Sequence, residues 1–161
     1  MQYFVTISSP VGPLTLTQEG QALTGLYFGK RSSQGQEGST PLLEEAARQL
    51  AEYFAGQRRE FSLPLAPHGT PFQLQVWQAL QAIPYGETRS YGEIAQAIGN
   101  PKACRAVGMA NHRNPLSIVV PCHRVVGATG SLTGYGGGLE AKRFLLDLER
   151  RVLEGTQPPT R

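Results

Sequence analysis

Tyr3, Val5 and Ile7 recur at every second position, and after the turn residues Pro10, Gly12 and Pro13 the same alternation resumes at Leu14 and Leu16. A period of two is the mark of a half-buried strand, so the segment predicts a β-hairpin. A third strand falls at 23–28, and residues 30–39, polar with two glycines, read as a loop. The period then changes. Thr40 suits an N-cap with Pro41 in the first helical position, and Leu42, Leu43, Ala46, Leu50, Tyr53 and Phe54 form one apolar stripe that stops at Gly56. Phe61, Leu63 and Leu65 alternate again, so the first 65 or so residues make a small strand and helix domain without obvious chemistry.

Beyond a linker at 67–71 the pattern turns helical. Phe72, Val76, Trp77, Leu80 and Ile83 mark a helix ended by Pro84 and Gly86. Ser90-Tyr91-Gly92-Glu93 is a capping box that opens a short helix with Ile94, Ala95 and Ile98 inward and Gly99 as its stop. Asn100 and Pro101 are expected to start the next helix at once, with Lys102 and Arg105 on it. Two short helices joined by a tight glycine turn predict a helix-turn-helix, a corner that many purely helical domains also contain.

A chain of 161 residues with 40% hydrophobic content can bury a core as one unit or two small ones. No stretch approaches the roughly 20 apolar residues that cross a bilayer, and the N-terminus has no secretory pattern, so a cytoplasmic protein is expected. The net charge of +3 is unevenly spread. Residues 1–70 hold five Lys/Arg against six Asp/Glu, and residues 71–161 hold ten against six. Between 94 and 139 there is no acid, yet Lys102, Arg105, Arg113 and Arg124 lie there, which fits a phosphate-facing surface or an ordinary solvated basic face. Two cysteines, Cys104 and Cys122, build neither a disulfide framework nor a four-ligand zinc site, although the three histidines leave a metal open on counts alone.

The chemistry sits after an apolar run at 116–120, in Pro121-Cys122-His123-Arg124-Val125. A thiol beside an imidazole and near cations is the setting that lowers a cysteine pKa from about 8.5 to roughly 3.5–7.5, which predicts a thiolate nucleophile. Taken singly, each residue also has an ordinary reading: Cys122 a buried structural thiol, Tyr91 a core aromatic, Arg105 a surface charge, Glu149 a solvated acid.

Read together, Ile83-Pro84-Tyr85-Gly86-Glu87-Thr88, Ser90-Tyr91, Arg105-Ala106-Val107-Gly108, Asn114-Pro115, Pro121-Cys122-His123-Arg124-Val125 and Thr133-Gly134-Tyr135 resemble the O6-alkylguanine-DNA alkyltransferase family, in order and spacing, from about Phe72 to Glu149. The resemblance implies an α+β protein: a small ribonuclease-H-like α/β domain at 1–66, the linker, a mainly helical winged helix-turn-helix domain with the active site at 72–155, and a tail at 156–161. It implies DNA repair. Cys122 takes the alkyl group from O6-alkylguanine, with O4-alkylthymine a second candidate substrate, in an irreversible single event. His123 deprotonates the thiol through a water, and Glu149 orients His123. Arg105 fills the gap left by a flipped base and Tyr91 crowds the adjoining phosphate, with Gly92 and Asn100 beside them on the DNA face. Asn114 is a hinge, and Tyr135, in the glycine-rich stretch 130–138, lines the base pocket. Small neighbours at Ala103, Ala106 and Ala110 imply minor-groove binding to double-stranded DNA with little sequence preference. Arg124 falls to a structural ion pair.

The family's N-terminal zinc, where present, uses cysteines that this half lacks, so neither metal nor cofactor is expected, and a monomer is. Cys104, His112 and Arg113 depart from commoner family forms without an assigned role. Three rivals remain: an alkyltransferase-like lesion sensor, against which Cys122 argues; a helix-turn-helix regulator without chemistry; and a thiol hydrolase, which would turn over.

Overall fold

The computed structural model describes residues 1–128, 130, 135 and 137–159. Strand β1 (Gln2–Ile7) pairs antiparallel with β2 (Leu14–Glu19), and β2 pairs antiparallel with β3 (Ala22–Phe28), as the alternation predicts. The expected loop at 30–39 differs in one respect: β4 (Gln36–Glu37) runs parallel beside β1 and gives the sheet order β3-β2-β1-β4. Two residues are too few to leave a periodic signal. Helix α1 (Pro41–Phe54) begins where the cap residue places it, with the Thr40 side chain accepting from the Leu43 N–H at 3.1 Å. Its stripe of Leu43, Ala46, Leu50, Tyr53 and Phe54 is buried.

The alternation at Phe61, Leu63 and Leu65 yields no strand, only one bridge in which Leu65 meets Leu23. Leu23 donates to the Pro64 carbonyl and accepts from Ala66, both at 2.8 Å. Pro64 and Pro67 lack N–H groups, so the ladder cannot lengthen.

Helix α2 (Pro71–Gln81) starts inside the expected linker because Thr70 and Gln73 form a reciprocal capping box. A second small sheet pairs β5 (Arg89–Ser90) in parallel with β6 (Val125–Val126). Helix α3 (Tyr91–Ala97) opens on the Ser90–Glu93 capping box. Helix α4 (Cys104–His112) begins later than the sequence predicts, and Lys102 lies on the turn before it. A residue ahead of proline is steered away from helical backbone, so Asn100 stays outside and a turn closed by Ala103 N–H to the Asn100 carbonyl intervenes. The chain ends on α5 (Leu139–Leu153), after a 3-10 turn at Cys122–Arg124.

One apolar core runs from Leu14 and Leu26 through Trp77 and Val107 to Leu145 and Leu148. The apolar run at 116–120 crosses it. Leu26 donates to the Pro115 carbonyl at 2.8 Å and Ser117 donates back to Leu26 at 3.2 Å, so the sheet edge holds the segment that leads to Cys122.

Candidate active site

Cys122 heads the 3-10 turn and is 4% exposed. Asn114 fixes the approach to it: its side-chain amide donates to the Val120 carbonyl at 2.9 Å, and its oxygen accepts from Leu116 N–H at 3.0 Å. The loop between is tight enough to hold Ile118 at φ +71°, a left-handed backbone that a β-branched side chain resists. The thiol environment corrects the expectation of a lowered pKa. Burial pushes the Cys122 thiol up, and the opposing pull of Asn114, Lys142 and Ser117 does not cancel it. Adjacency to His123 in sequence is not electrostatic contact, and at rest the group is a protonated thiol.

His123 turns away from water entirely and donates or accepts only at Nε2, 2.7 Å from Glu149 Oε2. Among the described residues the carboxylate accepts from four other donor atoms. Arg124 Nε reaches Oε1 at 2.8 Å and its terminal nitrogen reaches Oε2 at 3.0 Å, Tyr53 Oη reaches Oε2 at 2.6 Å, and Gly86 N–H reaches Oε1 at 3.0 Å. Burial opposes ionisation of Glu149, yet the charges and hydrogen bonds of His123 and Arg124 overcome it and hold the carboxyl well below the usual range. Burial also pushes the His123 imidazole below its ordinary value against the pull of Glu149. With an ionised acceptor at Nε2, the neutral ring keeps its proton there, and Nδ1 is left as a lone pair with no hydrogen-bond partner among the described residues. The pair is therefore a base pointing inward from a fixed support. Arg124 is a structural ion pair, as read from the sequence, and its third nitrogen donates to the Ile83 carbonyl at 2.8 Å.

Backbone proximity makes this possible at Gly86, whose φ is +79° and where a Cβ would sit 2.0 Å from Leu153 Cδ1. Tyr135 is buried, edge-on to Phe28 with centroids 5.4 Å apart. Burial first, and then the neighbouring Cys122, push its hydroxyl well above the ordinary value. Thr133 and Gly134, part of the motif quoted above, lie outside the described residues, as does Gly136.

A cavity of 520 Å³ has Cys122 in its wall. Phe28, Arg31, Trp77, Asn111, Asn114 and Ser117 are among its walls, and Arg113 and His112 stand on the α4 side. Along α4 the outer face carries Cys104, Arg105, Ala106 and Met109, all exposed, and Arg105 has no hydrogen-bond or ion-pair partner among the described residues. Ala110 does not belong to that face: it is 2% exposed, and its carbonyl accepts from Trp77 Nε1 at 2.8 Å. Ala103 is half-buried and packs against the core, so Ala106 is the small residue that α4 presents outward. Tyr91, half-buried at the start of α3, lays its ring over Gly108 of α4. Gly92 is half-exposed beside it, and Asn100 is exposed with its backbone closing the turn. The structure thus gathers Cys122, His123, Glu149, Asn114 and Tyr135 into one place, with Tyr91 and Gly92 on α3, Arg105 on α4 and Asn100 on the turn between the two helices.

Residues 71–151 match the DNA binding domain of 6-O-methylguanine DNA methyltransferase, and residues 2–67 match the ribonuclease-like domain of the same family. The chain belongs to the 6-O-methylguanine DNA methyltransferase family. A methylated-DNA–protein-cysteine methyltransferase of Methanosarcina acetivorans is 53% identical over 152 residues, covering 91% of this chain and 97% of the relative. The constitutive methylated-DNA–protein-cysteine methyltransferase of Bacillus subtilis is also 53% identical, covering 93% and 96%. Among solved structures, Mycobacterium tuberculosis OGT in complex with DNA superposes with a TM-score of 0.88 at 53% identity, covering 93% of this chain and 94% of that one. The two-domain α+β architecture of this methyltransferase family is the one expected from the motifs.

Three members of the site lie outside every motif in the sequence. Tyr53 reads as one more apolar position on α1. Lys142, buried with Nζ 2.6 Å from the Val125 carbonyl, and Ser117 both act on the thiol. A signal was present for Lys142: with Ala141, Leu145, Leu148 and Glu149 it occupies the inward face of α5, where an unpaired charge is not tolerated. No group of three His, Cys, Asp or Glu among the described residues is arranged to hold a metal, and no helix among them is long and apolar enough to cross a membrane.

Proposed function

We propose that this chain repairs alkylated DNA in a single event, with Cys122 taking the alkyl group from O6 of a guanine and keeping it. The observation that carries the reading is a buried thiol in the wall of a cavity, with the His123–Glu149 pair built into the core next to it in the chain. The sulfur attacks the alkyl carbon in line, the carbon–O6 bond breaks as the carbon–sulfur bond forms, and the guanine leaves with that electron pair and takes a proton from water, which the proton taken from the thiol replaces when His123 gives it up. The thiol proton passes to His123 Nδ1 through a water, and the imidazolium that results is balanced by Glu149. A thiol that rests protonated and buried is also shielded from stray electrophiles and oxidants, which suits a residue used once.

A guanine in duplex DNA is stacked and paired, so it must leave the helix to reach this sulfur. The exposed face of α4 is suited to the minor groove: Ala106 permits close approach, Arg105 fills the vacated position, and Tyr91 presses on the adjoining phosphate, with Gly92 and Asn100 flanking the DNA. Asn114 couples α4 to the thiol segment, and Tyr135 walls the base. Such a surface reads backbone and shape, so sequence preference is small. The protein acts as a monomer in the cytoplasm, with access to chromosomal DNA. Nothing in this chemistry calls for a metal or cofactor.

The test is intact mass after incubation with a duplex carrying one O6-methylguanine, for the native chain and Cys122→Ser. One methylene equivalent per molecule, stopping there and absent from the variant, is the expected outcome. Tight lesion binding without a mass gain would make it a sensor, and continued product release would make it a hydrolase.

A further inference from the structure

Among the described residues, Tyr53 makes the polar contact between the ribonuclease-like domain and the buried carboxylate, from a helix whose inward apolar residues pack and whose inward Gln49 bonds to Glu45 and Ser62. We propose that Tyr53 is a positioning residue for the alkyl transfer, holding Glu149 and limiting how strongly Glu149 draws on the proton of His123. The inference rests on the reading that His123 and Glu149 serve the thiol of Cys122.

Tyr53 is 0% exposed, and its hydroxyl is 2.6 Å from Glu149 Oε2, the same oxygen that His123 Nε2 meets at 2.7 Å. Arg124 also donates to that oxygen, at 3.0 Å. A carboxylate oxygen has about two lone-pair directions, so three donors compete for it, and each one held there reduces the charge left for the others. Packing does not account for the hydroxyl. The Tyr53 ring is already gripped by Phe54, Phe61 and Tyr85, with centroids 5.4, 5.5 and 6.3 Å away, and phenylalanine would fill that space. Burying a hydroxyl is costly without a partner, and here the partner is the group that orients the base. Among the described residues, the donors to Oε2 are His123, Arg124 and Tyr53. Arg124 and Gly86 occupy Oε1, Lys142 is turned to the Val125 carbonyl, Tyr135 is set against Cys122, and Tyr85, with Arg59 and Arg124 over its ring, has a buried hydroxyl without a partner among the described residues.

Removal of the hydroxyl leaves more charge on Glu149 for His123. Protonation of His123 then moves to higher pH, and a base that is already protonated cannot take the thiol proton. Single-event alkylation rates on the lesion duplex, measured from pH 5 to 9, should show the acid limb of Tyr53→Phe shifted upward by roughly half to one pH unit, with the plateau roughly three- to tenfold lower. His123→Gln and Glu149→Gln, run beside it, should lose the limb. If Tyr53→Phe does not fold, 3-fluorotyrosine at position 53 keeps the shape with a stronger donor, and the limb should move downward. A Tyr53→Phe protein, or a fluorotyrosine protein, with an unshifted limb and only a lowered melting temperature overturns the positioning role. Native rates and limbs in His123→Gln and Glu149→Gln would instead overturn the reading on which it rests, a distinguishable result.

Discussion

The central residue is a cysteine whose neighbours pull in opposite directions. Desolvation raises the Cys122 thiol, and Asn114, Lys142 and Ser117 recover only part of the ionised form. The sign of the consequence for stability follows directly. In the unfolded chain the thiol ionises near pH 8.5, and in the folded chain it holds its proton to higher pH. Its contribution is therefore complete below about pH 8.5 and is lost as pH rises through the folded value. Lys142, lowered by burial, acts with the opposite sign in the alkaline range, so the comparison must be made against a chain that keeps Lys142. Urea midpoints of the native chain and Cys122→Ser should differ by a constant amount up to about pH 8 and change in the native chain's disfavour from there to pH 10. A difference independent of pH would mean that the thiol is not desolvated. His123 and Glu149 were legible by motif, but what makes them a unit, a 2.7 Å contact sealed from solvent, was not.

At the scale of elements, α4 is a helix with two jobs on two faces. Val107, Ala110 and Asn111 face the core, and Arg105, Ala106 and Met109 face out. Ala106 and Ala110 look alike in sequence, and their small size beside Arg105, under the family resemblance, pointed both toward DNA. They separate because four residues advance a helix by slightly more than a turn while α2 covers one side, where Trp77 reaches the Ala110 carbonyl. Ala106→Leu should leave the melting temperature unchanged and weaken duplex binding. Ala110→Leu should overpack the core at a cost of about 1–3 kcal/mol. Arg105→Ala should fold normally and bind the lesion duplex less tightly, because it loses the side chain assigned to the vacated base position. Binding assays at several salt concentrations, beside thermal melts, check all three. Lys102, expected on this helix, is on the turn that Asn100 and Pro101 impose.

The whole molecule is two sequence domains with one core, and the thiol lies where they meet. Leu26 of the sheet bridges to Leu116, and Tyr53 of α1 reaches Glu149 of α5 across 96 residues of sequence. A methyl added to Cys122 enters this packed junction. The alkylated protein should be less stable by about 1–3 kcal/mol, which for a chain of this size lowers the melting temperature by about 2–4 °C per kcal/mol. Melting before and after complete alkylation measures it, and an unchanged transition would show that the cavity has room for the product.

What the sequence determined by itself is local: strands from period two, helices from their caps and stripes, and a nucleophile from a motif of adjacent residues. Thr40 and Ser90 place helix starts because a cap is satisfied within three residues of itself. The ionisation of Cys122, the burial of Ala110, and the convergence of Tyr53, Gly86, His123 and Arg124 on Glu149 belong to tertiary structure. Desolvation and hydrogen bonding depend on which distant segments exclude water from a group, and nothing in the spacing along one strand or helix states which segments those are.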